Sequence, residues 1–318
     1  MLILLFCNGR REELILNRLT SNTIIIHHDD LDGYIGGCVL KSKNINADTL
    51  CLNYDNVEKI PDKNFFKNYD KVFIVDYSFK PELMLFLKKT TNVIWIDHHI
   101  SAIKDSKDFG YDSMPGLRKI NYCGAELAWK YSYVTPIPKF IKMVGEFDTF
   151  RNANQKDFFN NQVMTFFYGC QSQIENFNPK NINEEDFIGT VSIFSNDQNV
   201  ERAIRTGEPI FNFLKTKWKE SANKNSFVRN IWGYNVLCLN NSENGSMQLD
   251  EAFNPELHDI MLKFHYNGKN WCYGLYTKTD LKPNLSVGEI AKSFGGGGHQ
   301  GAAGFTTDYL LEELEELI

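Results

Sequence analysis

Three β-branched or aromatic runs in the N-terminal third of the chain each end in acidic or histidine side chains. Thr23-Ile24-Ile25-Ile26 runs into His27-His28-Asp29-Asp30, Val72-Phe73-Ile74-Val75 into Asp76, and Val93-Ile94-Trp95-Ile96 into Asp97-His98-His99. Continuous apolar runs of this kind suit strands buried on both faces of a parallel sheet. Helix-like patterns lie between them, as over 81–89, where Pro81 is placed to open a helix and Lys88-Lys89 fall near its end. Strand, helix, strand repeated predicts an α/β domain. Ligands of such sheets sit outside the carboxyl ends of the strands, where every one of these polar clusters falls.

Residues 124–134 and 138–145 read as helices, the second running into Glu146-Phe147-Asp148. The polar stretch 196–229 reads as a helical connector between domains, interrupted by Gly207-Glu208-Pro209, with its basic residues forming a solvated face. Beyond Gly233 the pattern changes to strands and turns, over 234–239, 260–266 and 271–277. Asn267-Gly268 between the last two predicts a hairpin. A short helix over 287–294 then leads into Gly295-Gly296-Gly297-Gly298-His299.

Composition narrows the class. With 42% apolar and 23% charged residues in 318, the chain can bury a real core, which excludes a disordered or fibrous protein. Its longest apolar run falls far short of the roughly 20 residues of a membrane helix. The apolar start, Met1 to Cys7, has no basic leader before it and is read as mature protein. Seven scattered cysteines without a C-x-x-C pair predict reduced thiols and a cytoplasmic location. A net charge of −6 argues against long duplex nucleic acid as a partner, but not against a short anionic substrate met by locally held cations.

His28, Asp30 and Asp32 occupy alternate positions, so on an extended chain they share one side. Acidic groups that close repel one another unless divalent cations intervene, and a mixed imidazole and carboxylate set suits Mn²⁺, with Zn²⁺ or Fe²⁺ as alternatives. By itself this cluster reads equally as a surface turn, and Asp76 as a helix cap or turn former, with Ser78 another cap for the helix at Pro81. Three consecutive strand ends carrying such groups favour one shared site. Asp97 has two readings, orienting His98 or His99, or capping the next segment. His27 and Asp29 are expected to point away. The glycine run reads either as a linker or as a loop that lets amides approach a phosphate, with His299 as a charge-assisted donor.

Taken together, His28-x-Asp30-x-Asp32-Gly33, Asp76, Asp97-His98-His99, Asp148 within Gly145-Glu146-Phe147-Asp148-Thr149, and Gly296-Gly297-Gly298-His299 followed by Ala302-Ala303-Gly304 resemble the DHH-superfamily phosphoesterases and their C-terminal DHH-associated domain. The resemblance spans roughly residues 23–306. It implies a parallel-sheet, metal-binding catalytic domain over 1–195, a helical connector over 196–230 and a smaller α/β substrate-binding domain over 231–318. It further implies two Mn²⁺ ions, replaceable by Mg²⁺, Co²⁺ or Fe²⁺, with His28 and Asp30 on one, Asp32, His98 and Asp148 on the other, and Asp76 bridging. His99 would face the phosphate, supported by Asp97, while Gly296, Gly297, Gly298 and His299 would grip the far end of the substrate.

The implied activity is hydrolysis of short oligoribonucleotides or linear dinucleotides to mononucleotides by metal-activated water. Alternatives are a cyclic mono- or dinucleotide phosphodiesterase on the same centre and a non-catalytic nucleotide-binding module. Expected partners are the short nucleotide and a second copy of the chain, with no membrane. One departure bears on the substrate. NanoRNases of the superfamily commonly carry an arginine in the strand before the glycine motif, where this chain reads Gly274-Leu275-Tyr276-Thr277-Lys278-Thr279. Tyr276 is similar to a subgroup of oligoribonucleases and cyclic-nucleotide phosphodiesterases, and Lys278 replaces the ionic role only in part, because an ammonium lacks the guanidinium fork.

Overall fold

The computed structural model describes residues 22–54, 60–173, 196–243 and 245–315. Its first half is built on β1 (Thr23–His28), α1 (Leu31–Lys43), β2 (Asp48–Leu52), β3 (Lys71–Val75), α2 (Pro81–Thr90) and β4 (Asn92–Ile96). The four strands form one parallel sheet in the order β2-β1-β3-β4. Successive side chains alternate between its faces. Ile25, Phe73, Val75, Ile94 and Ile96 enter one core with α1, while Ile24, Ile26, Val72, Ile74 and Trp95 enter another with Met84 and Leu87 of α2. Burial on both faces is why the runs carry no polar alternation.

Next come α3 (Ile100–Asp108), α4 (Gly124–Ser132) and α5 (Lys139–Asp148). The last of these continues past the expected end at Gly145, so Asp148 closes it. A π-helical turn, Phe159–Met164, leads to α6 (Thr165–Gln173). Helix α7 (Asp197–Asn225) runs unbroken through Gly207 and Pro209, contrary to the interruption expected there. Gly207 packs so tightly on the Thr165 backbone of α6 that a Cβ would overlap its carbonyl oxygen. The glycine therefore serves close helix packing. Val200, Ala203, Ile204, Phe211 and Trp218 bury α7 in the first core, and this packing overrides the poor propensity of both residues. The helix stops at Asn225, short of the expected Arg229, because 227–231 pair as a strand.

The second half comprises β5 (Phe227–Ile231), β6 (Tyr234–Asn240), β7 (Ile260–Tyr266), β8 (Trp271–Tyr276), α8 (Val287–Ser293), β9 (Gly297–Gly298) and β10 (Ala302–Thr307). They form a mixed sheet in the order β5-β6-β7-β8-β10-β9, in which only β6 and β7 pair in parallel. The Asn267-Gly268 hairpin is present, with Tyr266 opposite Trp271 and Gly268 at φ 93°. Its core is separate, centred on Val236, Leu262, Leu275, Val287 and Phe305. Lys292 to Asp105 at 2.8 Å and Lys104 to Glu289 at 3.7 Å tie α8 to α3, which brings the glycine-rich segment over the strand ends of the first sheet.

Among the described residues no helix is long and apolar enough to cross a membrane. Cys38, Cys51, Cys123, Cys170, Cys238 and Cys272 are free thiols, and Cys7 lies outside the described residues.

Candidate metal centre

β1 ends at His28, and the chain then turns into a helix. Asp30 is the N-cap of α1: its Oδ1 accepts from the Gly33 amide at 2.8 Å, and its Oδ2 lies 2.8 Å from His28 Nδ1. Asp32 is buried in the first helical turn. The three side chains thus converge through a strand-to-helix turn, not through the extended alternation expected, because helix begins at Leu31. The helix carries Asp32 towards α4, where its two oxygens accept from the amides of Gly124 at 2.6 Å and Ala125 at 2.7 Å. A helix N-terminus, with its unpaired amides, is a ready partner for a carboxylate. The approach is close enough that a Cβ at Gly124 would lie 2.6 Å from Asp76 Cβ.

Glu126 fixes this helix start, accepting from the Cys123 amide at 3.1 Å and from Arg151 Nη2 at 2.9 Å. Gly124, Glu126 and Arg151 are absent from the sequence-based candidates. Their signal is the capping-box spacing of a glutamate three residues after the N-cap.

Asp76 follows β3 with φ 54°, the left-handed region uncommon for a residue other than glycine. It caps no helix, since α2 starts at Pro81 without a side-chain cap, and Ser78 Oγ bonds to the Phe79 carbonyl instead. The Asp76 carboxylate is buried, with Oδ1 3.1 Å from His98 Nε2 and Oδ2 3.9 Å from His28 Nδ1. His98 Nε2 also lies 3.6 Å from Asp32 Oδ2 and 3.4 Å from Asp148 Oδ2. Among the described residues four groups result with donor atoms within 4.8 Å of one another: His28 with Asp30 and Asp76, Asp32 with His98 and Asp148, Asp76 with Asp97 and His99, and His98 with His99 and His299. The oxygens of Asp76 face one each of the first two.

These residues fit divalent cations on two grounds. Asp76 Oδ2 and Asp148 Oδ2 are buried without a hydrogen-bond partner, a costly state for any polar atom. Ionisation is also resisted. Burial, then the charge of Asp148, pushes Asp32 up to about 7. Burial, then Asp30, pushes Asp148 up to about 7, and burial, then Asp32, raises Asp76 well above the carboxylate range. Oxygen and imidazole donors in this mixture suit Mn²⁺ or Fe²⁺.

A pH dependence follows. These carboxyls have folded pKa values above the unfolded one of 3.8, so their contribution to metal-free stability is full below about pH 4 and is lost as pH rises through about 7. Metal displaces their protons and relieves that loss. The rise in Tm caused by Mn²⁺ is therefore expected to be small at about pH 5 and to grow up to about pH 7.5. Calorimetry in buffers of different ionisation enthalpy should show proton release on binding. A Tm shift of equal size across this range contradicts the assignment.

Asp97, buried at the end of β4, bonds the His99 ring and the turn before α3 but does not cap that helix, which has His99 at its N-cap and no side-chain cap. Its Oδ1 accepts from the amides of His98 at 2.7 Å and His99 at 3.1 Å, closing the turn into α3, and from His99 Nδ1 at 2.8 Å. Burial works against a charge on His99, but the Asp97 carboxylate outweighs it and raises the imidazole to about 9. Asp97 itself, despite burial, is held down to about 2 by His99. His27 is buried to one side, its Nδ1 2.9 Å from the His28 carbonyl, and Asp29 is exposed.

The C-terminal candidates are placed differently from expectation. His299 does not stand at a far end: its ring stacks on His99, with centroids 5.0 Å apart and planes at 17°, and lies 5.2 Å from His98. Burial, then the neighbouring His99 and His98, pushes its pKa down to about 3, so it is a neutral ring over the centre rather than a charged donor. Gly297 and Gly298 form the edge strand β9, paired with Gly304 and Ala303, and Gly296 packs on the Gly304 carbonyl. The run is thus neither a linker nor an open loop. Lys278 is not a free cation, because Asp250 Oδ1 holds its Nζ at 2.6 Å, and the Tyr276 hydroxyl accepts from the Gly245 amide at 3.1 Å.

No protein-family model matches the chain. Protein R106 of Acanthamoeba polyphaga mimivirus is 26% identical over 273 residues, which cover 78% of this chain and 54% of the viral protein. The chain spans about half the length of that curated relative. The solved structure of the pGpG-specific phosphodiesterase PggH from Vibrio cholerae is similar at a TM-score of 0.52 and 13% identity, over 93% of this chain and 95% of that one. RecJ from Thermus thermophilus in complex with Mn²⁺ gives a TM-score of 0.45 at 16% identity, over 90% of this chain and 49% of RecJ. A parallel four-stranded sheet with His and Asp at its strand ends, a long connecting helix and a mixed six-stranded sheet, aligned with PggH over 93% of this chain, mean that the chain shares the fold of PggH, as the resemblance to the DHH superfamily implied.

Proposed function

We propose that the chain is a divalent-metal-dependent phosphodiesterase, using Mn²⁺, that hydrolyses short oligoribonucleotides or linear dinucleotides to mononucleotides. The observation that carries this reading is the centre itself, in which six donor side chains converge and Asp76 Oδ2 and Asp148 Oδ2 are buried without a hydrogen-bond partner. A pair of bound divalent ions supplies a water of lowered pKa and neutralises phosphoryl oxygens. The chain's own groups do the rest.

Asp76 presents one oxygen to each donor group, and Asp32 is held against movement by two α4 amides. With Nδ1 of His99 donating to Asp97, Nε2 is the nitrogen left to face a substrate. From Nε2 the ring could stabilise a phosphoryl oxygen or donate to the leaving oxygen, with Asp97 favouring its protonated form. His299 roofs His98 and His99 from the second half of the chain, which the ion pairs to α3 hold in place. A roofed centre favours short substrates. PggH, by its name a phosphodiesterase for the linear dinucleotide pGpG, supports linear over cyclic diesters.

A Mn²⁺ assay over pApA, pGpG, RNA and DNA from dimers to decamers, cyclic AMP, cyclic dinucleotides and pyrophosphate tests the proposal. Linear dinucleotides should be turned over fastest, with mononucleotides as products. A preference for cyclic substrates would replace the reading with a cyclic-nucleotide phosphodiesterase. Bound Mn²⁺ without turnover of any substrate would leave a binding module.

A further inference from the structure

We infer that Tyr54 is a stacking platform for the nucleobase attached to the phosphate at the metal centre, an inference that rests on the nucleotide reading above. β2 pairs with β1 up to Leu52 opposite His28, so the chain leaving β2 passes beside the strand end that carries the centre. The Tyr54 ring lies 5.3 Å from that of His28. Its inner face stacks on buried Tyr77, with centroids 4.6 Å apart and planes at 17°. Its hydroxyl oxygen accepts from the Ser78 amide at 3.0 Å.

The ring is thus fixed on one face and at its tip, yet Tyr54 remains 45% exposed. Neither packing nor hydrogen bonding calls for that exposure. A flat, open, immobilised ring one side chain away from a cation and phosphate site is suited to a base whose own phosphate is bound there. Stacking is tolerant of sequence because every base has a π-face, and a ring already held in place loses little freedom on binding.

The test is calorimetric titration of the full, Mn²⁺-loaded protein with adenosine 5′-monophosphate and with ribose 5-phosphate, which differ only in the base. The wild type should bind the nucleotide about 5- to 150-fold more tightly, the range for one base stacked on an aromatic ring. Tyr54→Ala and Tyr54→Leu should lose that preference, the leucine variant keeping an apolar contact with Tyr77, while Tyr54→Phe should retain it. Equal affinities in the wild type, or a preference that survives in Tyr54→Ala, overturn the inference. The phosphodiesterase reading fails separately, in the turnover assay; a base preference lost with the Tyr54 ring would support the platform even if no diester were hydrolysed.

Discussion

Asp76→Asn should lower kcat by at least about a thousandfold, about 4 kcal/mol of barrier, without unfolding the protein. Asp76 is the one carboxylate whose two oxygens face both donor groups, so removing its charge weakens both together. Asparagine tolerates the left-handed backbone at φ 54° and keeps an acceptor near His98, whereas alanine would add strain there. The metal-free variant should melt no lower than the wild type, because an acid whose ionisation is opposed by burial, Asp32 and Asp30 is replaced by a neutral amide. Its Tm should also rise far less with Mn²⁺. Turnover and melting with Mn²⁺ and with EDTA check both halves, and a variant retaining more than about a tenth of wild-type kcat is too active for a residue shared between two metals.

His99→Ala should cut kcat by about 10²- to 10⁴-fold while leaving metal binding intact. The side chain is 2.8 Å through Nδ1 from Asp97 Oδ1 and 3.7 Å from Asp76 Oδ1, and in the proposed function its Nε2 has a part towards substrate. Asp97→Asn should move kcat in the same direction and shift the basic limb of the pH profile to lower pH, since the carboxylate is what raises the His99 pKa. Calorimetric titration of His99→Ala with Mn²⁺ decides the role. Loss of one equivalent would place His99 among the metal ligands.

The parts of the fold legible in the sequence are those where one segment's pattern suffices. β1, β3 and β4 are buried on both faces and read as unbroken apolar runs, and the Asn267-Gly268 hairpin is written in its turn residues. α1 falls where a helix-like segment is expected between the first two runs, but its bounds were not legible. It is buried almost all round from Leu31 to Lys41 and so has no polar stripe, and Gly33, Gly36 and Gly37 look like turn residues. β2, a half-exposed edge strand of mixed character, gave no run to read. The continuity of α7 through Gly207 depends on the backbone of α6, which no local pattern reveals.

The site divides the same way. His28, Asp30, Asp32, Asp76 and His98 stand at strand ends beside recognisable runs, so their positions nominate them, whereas Asp148 enters only through the family resemblance. His299 joins His99 only because α8 docks on α3, a long-range contact without a sequence signature. The amides that hold Asp32 are backbone groups, invisible in any pattern of side chains. Tyr54 is a single aromatic residue whose meaning comes from lying on Tyr77 beside His28.

The central claim is that this centre hydrolyses a nucleotide diester only with divalent metal in it. Its most direct test is the turnover of a linear dinucleotide by EDTA-stripped protein as Mn²⁺ is added back. The account predicts no hydrolysis without metal and a rise that levels off at about two equivalents of Mn²⁺ per chain. Hydrolysis that persists in excess EDTA, or a Mn²⁺-saturated protein that leaves the diester intact, would contradict it.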